Sequence, residues 1–258
     1  MPSPACVRRK RSPARTPLKV EKGSCAEPSS CPARNLPLFH HAVEKTLRRF
    51  RQLATLHAYH RENILFYQGN RPQGLYFICS GRVKITKEDS GGRSQIVRIV
   101  NAPDLLGDRA FFAEKPYACT GTTMEESRIC FLETRHFWDT FGQDHEMLRL
   151  LIQSFAQKLG GAEERMHCLA ACMVKSRIAG YLLATCRKLS NASAGKSEFV
   201  LQETRTELAQ IIGTTPEVIS RSLAELCSTG WIAVQDRRVR IKDEKHLREV
   251  SCPHNLLA

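Results

Sequence analysis

Three hydrophobic rhythms follow one another along the chain. From about Phe39 to Leu56, Val43, Leu47, Phe50 and Leu53 recur at steps of four and three, which predicts an amphipathic helix. From His57 to about Glu133 the rhythm shortens to strand-like runs: Asn63 to Tyr67, Gly74 to Cys79, Arg82 to Thr86, Gln95 to Val100 and Ser127 to Leu132. Gly69, Gly74, Gly81, Gly91-Gly92 and Gly107 punctuate them, as turns between short strands require. A small antiparallel roll or barrel is expected. The helical rhythm then returns from about Asp144 to Ala171. Leu148, Ile152, Phe155, Leu159, Ala162, Met166 and Leu169 alternate four and three throughout, an apolar seam of coiled-coil type. Such a seam pairs two copies of the chain or is buried within one. Gly160-Gly161 lowers helix propensity in its middle. A further helix is predicted over Lys175 to Leu189, then a polar loop over Asn191 to Ser197.

The stretch from Thr204 to Gly230 carries the most specific local signals. Thr204 with Glu207 spells a capping box, and Leu208, Ile211 and Ile212 give the helix it opens an apolar side. Gly213 is suited to end that helix in a left-handed conformation. Thr215 is placed to cap a second helix, with Pro216 in its first turn. Ile219, Leu223 and Leu226 form the inward stripe, while Glu217, Ser220 and Arg221 fall together on another side. This is a helix-turn-helix whose second helix presents Thr215, Glu217, Ser220 and Arg221 near its N-terminal end, the part that meets base edges in a major groove. Arginine can grip guanine O6 and N7, and a carboxylate can accept from the cytosine amino group. An ordinary helical hairpin used only for packing is the plainer alternative. Trp231 to Val234, a turn with Arg237 and Arg238, and Val239 to Ile241 read as a wing, its arginines placed for phosphates.

Composition sharpens this. The chain has 258 residues and a formal charge of +13, which favours a polyanionic partner, nucleic acid before anionic membrane. No apolar stretch is long enough to cross a bilayer, and the basic N-terminus lacks the apolar run of a secretory signal, so a cytoplasmic protein is expected. Residues 1–35 are rich in Pro, Ser, Lys and Arg, including Arg8-Arg9-Lys10-Arg11, and a flexible basic segment is expected there. The remaining organisation reads as a sensory roll over 36–140, a dimerisation helix over 141–172, a winged helix-turn-helix over 173–245 and a charged, frayed tail over 246–258. His40-His41 has no accompanying ligand set and reads as loop. The 11 cysteines, an odd number, suit free thiols or metal ligands better than complete disulfide pairing. Neither a nucleophile–base arrangement nor a phosphate-cradling glycine loop is legible, so no enzyme is expected.

In that order, roll, long helix and winged helix-turn-helix resemble the Crp/Fnr family of bacterial transcription regulators over about Leu38 to Lys242. The best local marks are Tyr67-Gln68-Gly69, Ser80-Gly81-Arg82-Val83, Leu106-Gly107-Asp108 and Glu217-Val218-Ile219-Ser220-Arg221. The resemblance implies an α+β fold with a cyclic-nucleotide-binding-like roll, a homodimer on palindromic double-stranded DNA, and RNA polymerase as partner. In the cyclic-AMP branch a Gly-Glu pair and a following Arg bind the phosphate. Here those positions hold Gly107-Asp108 and Tyr117, which speaks against cyclic AMP, although Arg109 is close by. Glu-x-x-Ser-Arg resembles the Fnr branch, implying TTGAT-like half-sites read by Glu217, Ser220 and Arg221.

That branch holds a [4Fe-4S] cluster through N-terminal cysteines and one in the roll. Soft thiolates suit such iron–sulfur sites. Cys25 and Cys31 match the spacing, Cys130 matches the roll ligand, and Lys22 stands where the first cysteine is expected. Cys6 or Cys119 is then the candidate fourth ligand, with a non-cysteine ligand as the alternative. Cys79, Cys168, Cys172, Cys186, Cys227 and Cys252 read as core or incidental residues. A haem- or gas-sensing member, a metal-free thiol switch, and a ligand-binding or metal-handling protein without a DNA function stand as alternatives.

Overall fold

The computed structural model describes Leu18–Glu21 (backbone only), Leu36, Phe39, residues 44–190 and residues 198–252. In chain order it contains β1 (Leu18–Glu21), α1 (Glu44–Leu53), β2 (Thr55–Tyr59), β3 (Ile64–Phe66), β4 (Gly74–Ser80), β5 (Arg82–Glu88), β6 (Ser94–Asn101), β7 (Asp104–Leu106), α2 (Asp108–Phe112), β8 (Thr120–Thr123) and β9 (Ser127–Glu133). A short 3-10 turn leads to α3 (Phe137–Phe141) and the long α4 (His145–Ala171). The C-terminal part comprises α5 (Val174–Ser190), β10 (Glu198–Val200), α6 (Arg205–Ile212), α7 (Pro216–Ser228), β11 (Ile232–Gln235), β12 (Arg238–Ile241) and α8 (Glu244–Val250).

Two antiparallel sheets form the roll, in the orders β1-β2-β9-β4-β7 and β3-β8-β5-β6. Strand alternation sorts its side chains into two layers. Tyr76, Ile78 and Ile129 face inward and pack with Val83, Ile85, Val100 and Leu106. Leu75, Phe77, Cys130 and Leu132 point the other way, into a layer shared with Phe50 of α1, Phe137 and Phe141 of α3, and Met147 and Leu151 of α4. Phe50 meets Phe77 edge-on at 4.8 Å and Phe39 at 4.9 Å. Asp144 caps α4, accepting from the Met147 N–H, and its other oxygen accepts from Thr46 Oγ1 at 2.8 Å, which ties α1 to the start of the long helix.

Several expectations need adjusting. The first helix stops at Leu53, and Leu56 joins β2, where it pairs with Cys130. Leu18–Glu21, within the segment expected to be flexible, pairs antiparallel with β2 at the edge of the first sheet. An edge strand is held by main-chain bonds, so its composition gives little sign of it. The tail expected to fray begins inside α8, which is ordered to Val250: Leu247 is completely buried, Asp243 caps the helix, and α8 lies against α5. Leu247, with a partly buried Val250, is all that anchors this charged heptapeptide, too little for a periodic signal. The helix over 145–171 runs unbroken through Gly160-Gly161. The His40-His41 loop, the 191–197 loop, Arg8 to Arg11, Cys6, Cys25 and Cys31 lie outside the described residues.

Candidate nucleic-acid interface

The capping box forms as its residues imply. Glu207 N–H donates to Thr204 Oγ1 at 3.1 Å, and Thr204 N–H donates to Glu207 Oε2 at 2.9 Å. α6 ends at Gly213, whose φ of +75° is easy for glycine. Any Cβ there would also lie 3.0 Å from Leu169 of α4, so the turn is pressed against the long helix.

α7 follows with Thr215 at its cap position and Pro216 at its start. The Thr215 hydroxyl makes no cap to the backbone; it bonds instead to the Glu217 carboxylate and holds that group below the usual carboxylate range. Ile219, Leu223 and Leu226 are buried against α5 and α6. Glu217, Ser220 and Arg221 are exposed together on the outer side, with the Ser220 hydroxyl donating to Pro216 O at 3.0 Å. A negative, a hydroxyl and a guanidinium group thus share one rigid surface at the positive end of a 13-residue helix.

β10 joins β12 and β11 in a three-stranded sheet, and β11 and β12 form the wing. Arg238 is exposed on it. Arg237, also exposed, is engaged by main-chain carbonyls. Its Nε donates to Leu201 O at 2.9 Å, and its terminal nitrogen donates to Gln202 O, so its guanidinium staples the wing turn to the segment between β10 and α6. A left-handed Asp236 (φ +56°) in the turn directs it there, which local sequence pattern could not reveal.

The winged domain rests on the roll through buried charge. Lys84 Nζ of β5 reaches Glu207 Oε1 at 3.1 Å and Glu62 at 3.0 Å. Arg82 meets Glu203 at 2.8 Å and Glu125 at 3.1 Å. Arg165 of α4, itself buried, donates to Ile96 O of β6 and Ile211 O of α6, at 2.9 and 2.8 Å. Burial raises the Glu207 pKa, but the Thr204 N–H and Lys84 outweigh it, leaving the carboxyl below its ordinary value. Apart from Lys84 with Glu62, 22 positions away, these contacts join residues more than 40 positions apart, and none has a local signature.

Inside the roll, the position matching a phosphate-binding arginine is filled by an aromatic cluster. Tyr117 stacks on Phe66 at 4.2 Å, is buried, and donates its hydroxyl to Gly74 O at 3.3 Å. Burial pushes its phenol up to about 12. Asp108 is buried and accepts from Lys158 Nζ of α4 at 2.7 Å, while Arg109 is exposed. The Gly107-Asp108 corner therefore ties the roll to the long helix.

Of the cysteines, Cys130 lies in the outer layer with its Sγ 3.6 Å from that of Cys79. Cys119 packs against the inner layer with Tyr117 and Val83, so the two candidate roll ligands face different sides of the sheets. Cys168, Cys172 and Cys252, read as incidental, converge on one another.

Along α4 the expected seam divides. Ile152, Leu159 and Met166 stay exposed, at 69%, 62% and 69%, with Ala162 beside them, while Leu148, Phe155 and Leu169 are partly covered by their own subunit. The side turned inward is a neighbouring one, carrying Met147, Leu151, Lys158, Arg165 and Cys168.

A sensory roll joined by one long helix to a winged helix-turn-helix, with a polar reading face exposed, defines a DNA-binding regulator with a built-in input domain. Residues 56–144 match the cyclic nucleotide-binding domain family and residues 176–250 the Crp-like helix-turn-helix domain. The chain is 26% identical over 187 residues to the CRP-like cAMP-activated global transcriptional regulator of Mycobacterium tuberculosis, covering 72% of this chain and 84% of that one. It is 27% identical over 183 residues to the cAMP-activated global transcriptional regulator Vfr of Pseudomonas aeruginosa, covering 69% and 85%. Its fold is similar to that of FixK2 from Bradyrhizobium japonicum, with TM-score 0.65, 19% identity, and 78% and 98% of the chains covered. The protein belongs to the Crp/Fnr family of DNA-binding transcription regulators. No described helix is long and apolar enough to cross a membrane.

Proposed function

We propose that the protein acts in the cytoplasm as a homodimer that reads a palindromic, TTGAT-like site, contacts RNA polymerase, and is controlled by oxygen or redox state through an N-terminal [4Fe-4S] cluster. The joint exposure of Glu217, Ser220 and Arg221 on α7 carries the DNA reading. The uncovered stripe of Ile152, Leu159 and Met166 supports the dimer, because a second α4 is the natural cover for a heptad-spaced apolar face. Two-fold symmetry would present two copies of α7 to the two halves of a palindrome.

The cluster reading draws support from the roll's outer face. β1 ends at Glu21, which pairs with Leu56, which pairs in turn with Cys130, so Glu21 stands roughly 10 Å from Cys130 across two strand spacings. Leu36 is packed in the same layer as Cys130. Cys25 and Cys31 lie in sequence between these two anchors. Cys79 beside Cys130 gives the roll a second thiol there, and is a better fourth ligand than Cys119 on the inner side. Cys6 is the remaining candidate. The donor set is chemically suited to iron and sulfide, and a bound cluster would supply the oxygen sensitivity. The chain's own part is to tie its N-terminal segment to the layer that receives the start of α4.

The curated relatives named above are cAMP-activated. Here Tyr117 and Phe66 stack where a cyclic phosphate would need a cation, and Asp108 is committed to Lys158, so this roll is a poor host for cyclic AMP. Protein purified without oxygen tests the whole reading. Iron and acid-labile sulfide, a visible spectrum without haem bands, and salt-dependent binding to a TTGAT palindrome are expected. Iron-free protein that binds operator equally in air and under argon would overturn the cluster, and tight cyclic AMP binding would overturn the rejection of that ligand.

A further inference from the structure

Three cysteines that the regulatory reading leaves unused meet where α4 ends. Cys168 and Cys172 stand one helical turn apart at the C-terminal end of that helix, on its inward side. Cys252 comes from the segment after α8, and its N–H donates to Ser176 O at 3.0 Å. Gly180 of α5 permits this approach, since a Cβ there would lie 3.1 Å from Cys252 O. The three sulfurs lie within 4.8 Å of one another. Cys172 and Cys252 are joined as a disulfide, and Cys168 Sγ is 2.7 Å from Cys252 Sγ. A disulfide needs two of these sulfurs; it gives no reason for a third to be held against the pair.

Two guanidinium groups, of Arg177 and Arg165, flank the cluster and offset part of the burial that holds the Cys168 thiol above its usual range. Arg177 is only 8% exposed, and its buried Nε has no hydrogen-bond partner among the described residues. An orphaned guanidinium N–H beside a thiol cluster is a costly arrangement unless the cluster carries charge. Cys168 and Cys252 are closed off, while Cys172 is partly exposed and offers an entry path.

We propose that in the reduced protein Cys168, Cys172 and Cys252 form a binding site for a soft monovalent metal ion of copper(I) type. Soft thiolates select copper(I) and zinc, and structural zinc almost always takes four ligands. The converging set stops at three among the described residues. Three thiolates and one monovalent cation leave a charge of −2, which the two flanking arginines match. Opening the site from the disulfide form takes a dithiol reductant. Two electrons and two protons pass to the sulfurs of Cys172 and Cys252 while the reductant closes its own disulfide. Metal binding then releases the thiol protons. An occupied site clasps the C-terminal segment to the end of the long helix, at the junction between roll and winged domain.

The test uses the full chain with Cys25→Ser and Cys31→Ser, so that N-terminal thiols do not contribute. After reduction with dithiothreitol and anaerobic desalting, it is titrated with copper(I) against bicinchoninate. One equivalent should be retained, with three sulfur neighbours by X-ray absorption. Adding Cys252→Ser should weaken binding by more than the roughly 10–100-fold that loss of an outer-shell partner costs. The partly exposed Cys172→Ser should do the same, and supplies the test should Cys252→Ser fail to fold. Unchanged affinity in Cys172→Ser, or fewer than three sulfurs around the metal, would overturn the proposal. So would preferential retention of four-coordinate zinc. Copper retained by a background that has lost its iron would separate this site from the cluster proposed above.

Discussion

Leu159→Glu is the sharpest perturbation of the proposed dimer. Burying a leucine, isoleucine or methionine side chain contributes about 1.5–3 kcal/mol. Ile152, Leu159 and Met166 leave 69%, 62% and 69% of their surface exposed, so covering each would recover about two thirds of that, ~1–2 kcal/mol. Each residue occurs twice across a two-fold axis. Leu159→Glu therefore removes ~2–4 kcal/mol of association free energy, before counting the repulsion of two carboxylates brought together. At 1.4 kcal/mol per tenfold, the dimer dissociation constant should rise by roughly 30- to 1,000-fold. Sedimentation equilibrium over a concentration series measures this directly. Operator binding should weaken in parallel at protein concentrations below the new dimer constant, and recover at higher ones. Gln157→Glu is the control: it adds the same charge at an exposed position away from the stripe and should leave the constant within threefold of the parent. A Leu159→Glu protein that dimerises like the parent would show that α4 is not the interface, and the two-fold reading of DNA would lose its structural basis.

Arg221→Ala should cost about 1–3 kcal/mol of discrimination between a TTGAT palindrome and scrambled DNA, measured by fluorescence anisotropy at matched salt; equal loss on both sequences would reduce Arg221 to a phosphate contact. Arg237→Ala should act through wing geometry, lowering the domain's melting temperature while leaving the salt dependence of binding nearly unchanged; a salt slope lower by about one would instead mark it as a phosphate contact. Leu247→Ala should destabilise the winged domain by about 2–5 kcal/mol in denaturant unfolding, since its side chain is fully buried; a change below 0.5 kcal/mol would mean α8 adds little to the fold. The Glu207 carboxyl is held below its free value of 4.5, so its stabilising effect is complete above that pH and is lost as pH falls through the lower folded value. Glu207→Gln should therefore be less stable than the parent at neutral pH, and the difference should shrink below about pH 4.5 in thermal unfolding; a gap that persists in acid would assign the effect to packing.

Local chemistry made much of this protein readable in one dimension. The capping box of Thr204 and Glu207, the left-handed Gly213, and the stripe of Ile219, Leu223 and Leu226 are short-range features, so spacing alone placed the helix-turn-helix and turned Glu217, Ser220 and Arg221 outward. The strand rhythm over 63–132 and the seam of α4 follow from the same periodicities. Long-range geometry decided what spacing could not. β1, β7 and β10 are only three or four residues long, too short for a side-chain periodicity to register. Lys84 reaches Glu207, Lys158 reaches Asp108, and Arg165 bridges Ile96 and Ile211 only because the chain folds back on itself. Whether an arginine reads as a free phosphate contact or a backbone staple, as with Arg237, depends on where a turn points it. The cysteines show the division most plainly. The sequence set Cys168 and Cys172 one turn apart, but Cys252, 80 residues beyond Cys172, joins them only because a fully buried Leu247 docks α8 and Gly180 lets the next segment approach. Periodicity acts over a few residues of backbone. Convergence depends on packing between elements, and that exists only once the chain has folded.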